Sequence, residues 1–359
     1  MQTVVHVTGA RPNFPKVGPV MAALSARGVH QRLIHTGQHY DDRMSDIFFE
    51  QLALPRPDVN LGVGSGSHAV QTAHIMIALE QEFIANPPTL VMVYGDINST
   101  VAAALVAAKL GIPMAHVEAG LRSFDMSMPE EVNRRITDQL SELLFVTSPE
   151  AIDHLQAEGL GNHAIHFVGN PMIDTLLGSL DKLDPERVRT TFALPDRYAV
   201  ATLHRPSNVD SPSQVAELVQ ALHGVADLLP IYVPLHPRGR QNLVDAGIER
   251  HAGIHLLEPL GYLEFVAMMR GSSLVLTDSG GVQEETTILG IPCLTMRPNT
   301  ERPITITHGT NRLVGMHELV DAAQQALGTT SSEQRTPPLW DGHAGERIAD
   351  VVVAWLAAR

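Results

Sequence analysis

Two carboxylates stand at the ends of apolar runs in the first half of the chain, and a third follows them in sequence. Asp96 follows LVMVY after one glycine, Glu118 follows the run MAHV, and Glu130 lies in the segment MPEEVNRR. Carboxylates at successive strand ends, with Arg122 and Arg134 nearby in sequence, are typical of general acid and base chemistry. Two alternatives stay open: Asp96 as the N-cap of the following helix, and Glu130 as a first-turn glutamate that the helix dipole favours.

A cationic segment follows the first apolar run. The sequence GARPNFPK spans positions 9–16, so that Arg11 and Lys16 stand just beyond a strand end. Two cations at such a place suit a diphosphate, because arginine offers a planar fork of donors and lysine a point charge. The segment is neither a Walker A loop nor a GxGxxG fingerprint. The alternative is a solvated loop with incidental charge.

A glycine-rich turn in the second half, TDSGGVQEET at positions 277–286, predicts an anion site. Such a turn at the start of a helix directs backbone N–H groups at one spot, where the helix dipole adds positive potential. We therefore expect Ser279, Gly280 and Gly281 to hold phosphate. Two glutamates come next, which predicts a ligand that also carries hydroxyl groups, with Glu284 or Glu285 holding those of a ribose.

Further candidates lie at other strand ends of the second half. His204 ends the run YAVATL and has the chemistry to donate to a departing phosphate, although a satisfied histidine at a domain seam is the alternative. The segment LEPLGYLEF offers Leu260, Tyr262 and Phe265 as a wall for a planar base, with ordinary core packing as the alternative. Arg302 follows the next strand, within reach of a phosphate or another part of the ligand.

Composition excludes several classes of function. The chain has 359 residues, with 25 Lys and Arg against 39 Asp and Glu, and its formal net charge of −14 argues against a nucleic-acid or anionic-membrane surface. A single cysteine, Cys293, excludes a disulfide framework, and without HExxH or a cysteine pair no metal site is expected. No leader and no apolar run of about 18 residues is evident, which predicts a cytoplasmic protein.

The sequence pattern predicts that the strands that position these residues form two parallel sheets. Short β-branched runs alternate with helical patterns, which favours two doubly wound Rossmann-like α/β domains over a barrel at this length. Ligands of such sheets sit beyond the carboxyl ends of the strands. We expect domains at 1–169 and 170–340, and a final helix within 341–359. The predicted strands are Thr3–Thr8, Arg32–Thr36, Leu90–Tyr94, Met114–Val117, Leu143–Thr147, Ile165–Val168, Tyr198–Leu203, Ile231–Leu235, Ile254–Leu257, Leu274–Thr277 and Pro292–Met296.

Taken together, the motifs resemble the non-hydrolysing UDP-N-acetylglucosamine 2-epimerases almost from end to end. The shared segments are GARPNFPK, TGQHYDDRMSDIFF, VYGDINST, AHVEAGLRS, MPEEVNR, TLHRPSN, LTDSGGVQEE and NTERP, in the family's order. The resemblance implies the two-domain fold of many glycosyltransferases (GT-B), an active site in the interdomain cleft and a C-terminal helix that returns to the first domain. It also implies a homodimer and a role in cell-surface polysaccharide synthesis.

The family's reaction inverts C2 of the sugar in UDP-GlcNAc to give UDP-ManNAc. UDP leaves by anti elimination, 2-acetamidoglucal is the intermediate, and UDP adds again with protonation from the other face. The resemblance implies no metal or nicotinamide. It assigns the carboxylate set to Asp96, Glu118 and Glu130, the departing phosphate to His204, and UDP or sugar binding to Arg11 and Lys16. It implies that Ser279, Gly280 and Gly281 bind the diphosphate. It also implies that Glu285 binds the ribose, Phe265 contacts the uracil region and Arg302 contacts the far side.

The chain departs from the family pattern at three places. Ser207 replaces a glutamate after the histidine motif, Ile97 replaces a threonine, and GSGSHAVQT at 64–72 replaces an Arg-Gln pair that many members use for activation by a second substrate molecule. The alternatives for the function are a 2-epimerase of a UDP-2,3-diacetamido uronic acid, a GT-B glycosyltransferase, and a non-catalytic sugar-nucleotide sensor. Three carboxylates favour epimerisation over simple transfer.

Overall fold

Parallel strands form the centre of each half of the chain in the computed structural model. The structure describes residues 2–37, 51–52, 54–235, 237–328 and 336–359. The motif residues at 38–49 lie outside these ranges, as do the side chains of Arg11, Pro206, Ser207, Pro237 and Arg238. The chain divides into two compact units, residues 1–179 with 338–359, and residues 180–337.

Unit 1 contains a seven-stranded parallel sheet among its described residues, in the order β3-β2-β1-β4-β5-β6-β7. The strands are near-continuous apolar runs because helices cover both faces of the sheet. The strands are β1 (Thr3–Thr8), β2 (His30–His35), β3 (Val59–Asn60), β4 (Leu90–Tyr94), β5 (Met114–Ala119), β6 (Leu143–Val146) and β7 (Ala164–Phe167). The helices are α1 (Phe14–Ala26), α2 (His68–Ala85), α3 (Asn98–Lys109), α4 (Pro129–Leu140), α5 (Pro149–Ala157) and α6 (Pro171–Ser179), preceded by a 3₁₀ turn at Arg11–Asn13.

Unit 2 contains a six-stranded parallel sheet in the order β10-β9-β8-β11-β12-β13, again among the described residues. Its strands are β8 (Ala199–Thr202), β9 (Ile231–Pro234), β10 (Ile254–Leu257), β11 (Leu274–Thr277), β12 (Cys293–Thr295) and β13 (Asn311–Leu313). Its helices are α7 (Pro185–Thr191), α8 (Pro206–Val209), α9 (Pro212–Ala226), α10 (Pro237–Asp245), α11 (Tyr262–Arg270), α12 (Gly280–Leu289), α13 (Ile304–Thr307) and α14 (Leu319–Gly328), with 3₁₀ turns at Leu180–Lys182, Ile248–Arg250 and Met316–Glu318.

The end of the chain belongs to unit 1. Helix α15 (Ala344–Ala357) packs on α1, and a Cβ atom at Gly345 would lie 2.7 Å from the backbone of Pro19. The Asp174 carboxylate accepts the N–H groups of Ala344 and Gly345 at 3.1 and 2.7 Å, which satisfies donors that the helix itself leaves free. Close packing against α1 and this cap hold the last helix on unit 1.

The expected fold class, two doubly wound α/β domains, is confirmed. Each predicted strand is present within two residues of its predicted ends. The sequence analysis missed β3 and β13, which have two and three residues and lie at the sheet edges. No helix among the described ranges is long and apolar enough to cross a membrane.

Candidate active site

The glycine-rich turn of unit 2 opens α12 directly after β11. Ser279 is the extended N-cap residue, and Gly280 and Gly281 form the first turn, where all three are only partly buried. The first-turn N–H groups of a helix have no partners within the helix, so this turn presents donors to an anion. The structure therefore places the three residues expected to hold phosphate at one helix N-terminus.

Gly280 is required because an arginine lies against it. A Cβ atom at this position would lie 2.5 Å from Nη1 of Arg302 and 3.0 Å from Oε1 of Glu301. A larger residue would push this ion pair away from the start of α12. The lack of a side chain at Gly280 thus leaves room for Arg302, one of the residues expected to bind the ligand, at the turn expected to hold phosphate.

Arg302 belongs to an arginine cluster, which we define as Arg205, Arg297 and Arg302 with the carboxylates of Glu284 and Glu301. Arg297 and Arg302 are buried, and Arg205 is partly exposed. Nε of Arg302 lies 2.9 Å from Oε1 of Glu284, and its Nη1 pairs closely with Oε1 of Glu301. Nη2 of Arg297 lies 2.7 Å from Oε2 of Glu301, and Nη2 of Arg205 lies 3.7 Å from Oε1. Three guanidinium groups therefore face two carboxylates.

Glu301 is the shared anion of this arginine cluster. Its side chain is buried, and burial by itself raises the pKa of a carboxyl group. The charges of Arg302 and Arg297, with the hydrogen bond from Arg297, outweigh burial and hold the pKa of Glu301 far below its ordinary value. The sequence analysis assigned no role to Glu301 or Arg297, because nothing in the spacing of RPNTERP, positions 297–303, shows that both side chains are buried.

His204 is held by a carboxylate that the sequence analysis did not single out. Nδ1 of His204 lies 2.8 Å from Oδ1 of Asp278, the residue after β11, and Asp278 is fully buried. Asp278 also accepts the N–H groups of His204 and Arg205 at 3.1 and 3.0 Å and the side-chain amide of Asn208 at 3.1 Å. These contacts outweigh burial and hold the pKa of Asp278 below its ordinary value.

This geometry fixes how His204 meets a ligand. The side chain is 46% exposed although its Nδ1 faces the buried Asp278. An imidazole held by a carboxylate through Nδ1 presents Nε2 on its opposite edge. The contact with Asp278 therefore fixes the orientation of the His204 ring and directs Nε2 away from Asp278.

The second glutamate of the turn is a neutral acid at pH 7. Burial of Glu285 raises its pKa to about 8; a hydrogen bond with Tyr262 opposes this shift and the charge of Glu284 adds to it. Tyr262 is itself buried, and burial raises its pKa well above the ordinary value. Tyr262 therefore supports Glu285, and its burial favours the core packing that the sequence left as the alternative to a wall for a base. Phe265, one turn along α11, is partly exposed.

In unit 1, Glu118 lies at a β-bulge. Strand β5 pairs Val117 with Phe145 and Ala119 with Val146, so that Glu118 is the extra residue between them, and its φ of 78° lies in the left-handed region. Such a bulge redirects a side chain and is costly for a residue other than glycine. The carboxylate of Glu118 is buried and pairs closely with Nζ of Lys16 on α1.

Gly95 completes this corner of unit 1. Its φ is 63°, and a Cβ atom there would lie 3.1 Å from Nζ of Lys16 and 3.5 Å from Oε2 of Glu118. The carbonyl oxygen of Gly95 accepts Nε2 of His116 at 2.8 Å, while Nδ1 of His116 lies 2.6 Å from Asp138. The ends of β4 and β5 are therefore held together, which brings Lys16 and Glu118 close to the turn that carries Asp96.

Asp96 pairs closely with Nη1 of Arg134 on α4 and is partly exposed. Helix α3 instead begins after Ile97, with no side-chain cap, so Asp96 is not the N-cap that the sequence left as an alternative. Arg134 is in turn held by Glu131, whose Oε2 lies 2.7 Å from its Nη2.

The two adjacent glutamates at the start of α4 have different environments. Glu131 is fully buried and accepts the N–H groups of Ser123 and Phe124 at 2.8 and 3.3 Å. Glu130 is partly exposed and has no hydrogen bond or ion pair to any residue that the structure describes. Both lie in the first turn of the helix. Glu131 therefore holds Arg134 and the backbone at Ser123, whereas Glu130 is the more exposed of the two carboxylates.

The chain is similar to known proteins over almost its whole length. Residues 22–353 match the family model described as UDP-N-acetylglucosamine 2-epimerase. The UDP-N-acetylglucosamine 2-epimerase of Methanocaldococcus jannaschii is 40% identical over 361 residues, which cover 96% of this chain and 97% of the relative. Its crystal structure in complex with UDP-GlcNAc and UDP has a TM-score of 0.92 at 39% identity and covers 99% of this chain and 100% of that one.

A second relative has a different substrate in its name. The UDP-2,3-diacetamido-2,3-dideoxy-D-glucuronate 2-epimerase of Pseudomonas aeruginosa is 40% identical over 355 residues, which cover 97% of this chain and 98% of the relative. The two relatives are thus equally similar to this chain, and both names describe inversion at C2 of a UDP-sugar.

The raised pKa of Glu285 predicts a pH-dependent effect of Glu285→Gln on stability. The folded protein holds the proton more tightly than the unfolded chain, so this contribution is present below about pH 4.5 and is lost as the pH rises through about 8. The wild type should lose this contribution between pH 5 and pH 9, whereas the variant has no carboxyl group to titrate at position 285. The difference in unfolding free energy, variant minus wild type, should therefore be larger at pH 9 than at pH 5 by on the order of a few kcal/mol. Urea denaturation at both values measures the change.

The exposed Glu318→Gln variant is the control for this experiment, since its side chain lies 55% exposed in the same unit. It should show no comparable gain. An equal difference between Glu285→Gln and wild type at pH 5 and pH 9 would contradict a buried neutral acid at position 285.

Proposed function

Because the chain belongs to the UDP-N-acetylglucosamine 2-epimerase family, whose members are isomerases, we propose that it interconverts UDP-GlcNAc and UDP-ManNAc. The observation that carries this proposal is the presence of a complete set of groups for the reaction. Unit 2 has a helix N-terminus suited to an anion, beside the arginine cluster and the oriented His204. Unit 1 has Asp96 after β4, Glu118 within β5 and Glu130 in the first turn of α4.

The chemistry requires a leaving group to be held and a weakly acidic C–H bond to be broken. No ketone adjoins C2 of the sugar, so a carboxylate removes the C2 proton while the C1–O bond to UDP breaks in an anti elimination. The products are 2-acetamidoglucal and bound UDP. UDP then adds to C1 again, and a carboxylic acid protonates C2 from the opposite face.

Each unit supplies one part of this reaction. In unit 2, Ser279, Gly280 and Gly281 hold the diphosphate, and His204 donates a proton through Nε2 as UDP leaves, with Asp278 stabilising the imidazolium. Glu285 takes the ribose, Phe265 the uracil region and Arg302 the far side of the nucleotide. These assignments are expected from the family motifs and agree with the positions of the residues within unit 2.

In unit 1, Asp96, Glu118 and Glu130 act on the sugar, with Arg11 and Lys16 serving UDP or the sugar. The contacts of the two better-held carboxylates support different roles. Glu118 is buried and paired with Lys16, whereas Asp96 is partly exposed beside Arg134. Unequal environments of this kind let one carboxyl group act as a base while another carries a proton.

A UDP-2,3-diacetamido uronic acid is the second candidate substrate, favoured by the Pseudomonas aeruginosa relative at 40% identity. Both substrates share the UDP group and the acetamido group at C2, so the elimination would be the same. The chain would then act at C2 of a sugar with an additional acetamido group and a carboxylate.

Proton NMR of the purified protein with UDP-GlcNAc in D₂O tests the primary function. We expect UDP-ManNAc signals to appear, with deuterium at C2 of the sugar, because elimination breaks the C2–H bond and solvent supplies the returning proton. Conversion of only the diacetamido uronic acid nucleotide in the same experiment would establish the second candidate. Bound UDP without turnover of either substrate would contradict the epimerase function.

Asp278→Asn should lower kcat at least about a hundredfold, because an amide stabilises the imidazolium of His204 less than a carboxylate does. The dissociation constant for UDP, measured by calorimetry, should change far less. Thr202→Val is the control, since it removes a neighbouring hydrogen bond, 2.7 Å long, between Thr202 and Thr277 without touching His204. A kcat in Asp278→Asn equal to that of the control would remove the role of Asp278.

We also propose that the protein is a homodimer in the cytoplasm, serving cell-surface polysaccharide synthesis. An apolar stripe on α2 supports the dimer: Val70, Ile77 and Ile84 recur every seven residues and are 51%, 57% and 63% exposed. A period of seven keeps these side chains on one face of the helix, opposite the buried Ile75 and Leu79.

Light scattering after size exclusion should give twice the chain mass of 38.9 kDa for the wild type. Ile77→Glu should give the mass of one chain, because it places a charge in the centre of the stripe. Leu228→Glu, at an exposed apolar residue of unit 2, is the matched control and should remain dimeric. A dimer in the Ile77→Glu variant would exclude α2 as the interface.

A further inference from the structure

We propose that Glu301 is a resident counter-anion that holds Arg205, Arg297 and Arg302 in place for the diphosphate and limits the affinity of the site for UDP. Glu301 would then be a positioning residue that sets how tightly the leaving group is held. The inference rests on the proposed function in one respect, since it takes the N-terminus of α12 as the diphosphate site.

The position of Glu301 is the first step of the argument. The point where a Cβ atom of Gly280 would stand lies 3.0 Å from Oε1 of Glu301 and 2.5 Å from Nη1 of Arg302. The carboxylate and the arginine are therefore both at the first turn of α12. An anion that binds to this turn comes close to a carboxylate that is already present.

The sharing of Glu301 is the second step. One carboxylate oxygen serves Arg297 at 2.7 Å, and the other serves Arg302 and, at 3.7 Å, Arg205. Without this charge, the buried guanidinium groups of Arg297 and Arg302 and the partly exposed one of Arg205 would repel one another more strongly, while Glu284 offsets the charge of Arg302. Glu301 thus allows the arginines to remain together before any ligand arrives.

The arginine cluster also has more donors than its carboxylates accept. Nη1 of Arg297 is buried and has no hydrogen-bond partner among the described residues. Burial lowers the pKa of Arg297, which its neighbours Arg205 and Arg302 also lower, although Glu301 opposes both effects. The cluster is therefore short of negative charge in the structure, as expected of a group of cations that awaits a more highly charged anion.

Competition between the two anions is the consequence. A diphosphate brings more negative charge than one carboxylate and attracts the arginines, while Glu301 repels it at short distance. Moderate affinity is useful in this reaction, because UDP leaves the sugar, returns to it and is finally released with the product. A site without Glu301 would stabilise bound UDP more strongly, and this added stabilisation would not lower the free energy of the transition state relative to the bound state.

Glu301→Gln tests the proposal, since the amide keeps the shape of the side chain and removes its charge. We expect UDP to bind about tenfold more tightly, a change that calorimetry measures readily. The affinity should also fall more steeply with added salt than in the wild type, because the site is more positive. The melting temperature without ligand should fall, and the increase caused by UDP should be larger.

Two further variants separate charge from shape. Glu301→Asp keeps the charge and should restore the wild-type salt dependence. The Glu318→Gln variant removes the same overall charge at a side chain that is 55% exposed and pairs with His317, and it should leave the dissociation constant for UDP unchanged. A purely structural role of Glu301 would lower the melting temperature but leave UDP binding equal or weaker, and this result would overturn the proposal.

If Glu301→Gln does not fold, Arg297→Gln provides the test. Glu301 would then act on Arg302 and Arg205 alone, so UDP should bind several-fold more weakly, and an unchanged dissociation constant would overturn the proposal. Failure of this inference differs from failure of the function. Wild-type protein that does not bind UDP refutes both, whereas altered UDP binding in Glu301→Gln without epimerisation refutes only the epimerase function.

Discussion

A charged side chain buried at the end of a strand must have a partner of opposite charge, and this constraint organises both halves of the molecule. Burial of an isolated charge costs several kcal/mol or more, whereas a buried pair with good geometry costs far less. Unit 1 follows this rule with Lys16 and Glu118 and with Arg134 between Asp96 and Glu131. In unit 2, Glu301 and Glu284 serve the arginine cluster.

Backbone conformation determines which of these charges can reach a ligand. The bulge at Glu118 and the positive φ of Gly95 bring a carboxylate, a lysine and the turn of Asp96 to one place. At Gly280 the lack of a side chain brings Arg302 to the start of α12. A non-glycine residue in the left-handed region costs about 1–3 kcal/mol, and such strain is commonly found where a side chain must be aimed.

The sequence predicts the sheets well because buried parallel strands consist of apolar runs. The family expected from the motifs is also confirmed. It predicts charged partnerships poorly. In MPEEVNRR, Glu130 and Glu131 are adjacent and chemically identical, and only the packing of α4 shows that Glu131 is buried on Arg134. The pairing of Asp278, in the turn TDSGG, with His204 could not be predicted for the same reason, since the two residues are 74 positions apart.

The two glutamates after the anion-binding turn, which would repel phosphate if both were free carboxylates, are neutralised by different means. Glu284 pairs with Arg302 at 2.9 Å. Glu285 is buried beside Tyr262 with its pKa raised to about 8, so that it keeps its proton at pH 7. In a chain with a net charge of −14, an anionic ligand depends on such local compensation. A protonated Glu285 is a hydrogen-bond donor as well as an acceptor, which suits it to the hydroxyl groups of the proposed ligand without adding charge beside the turn proposed to hold the diphosphate.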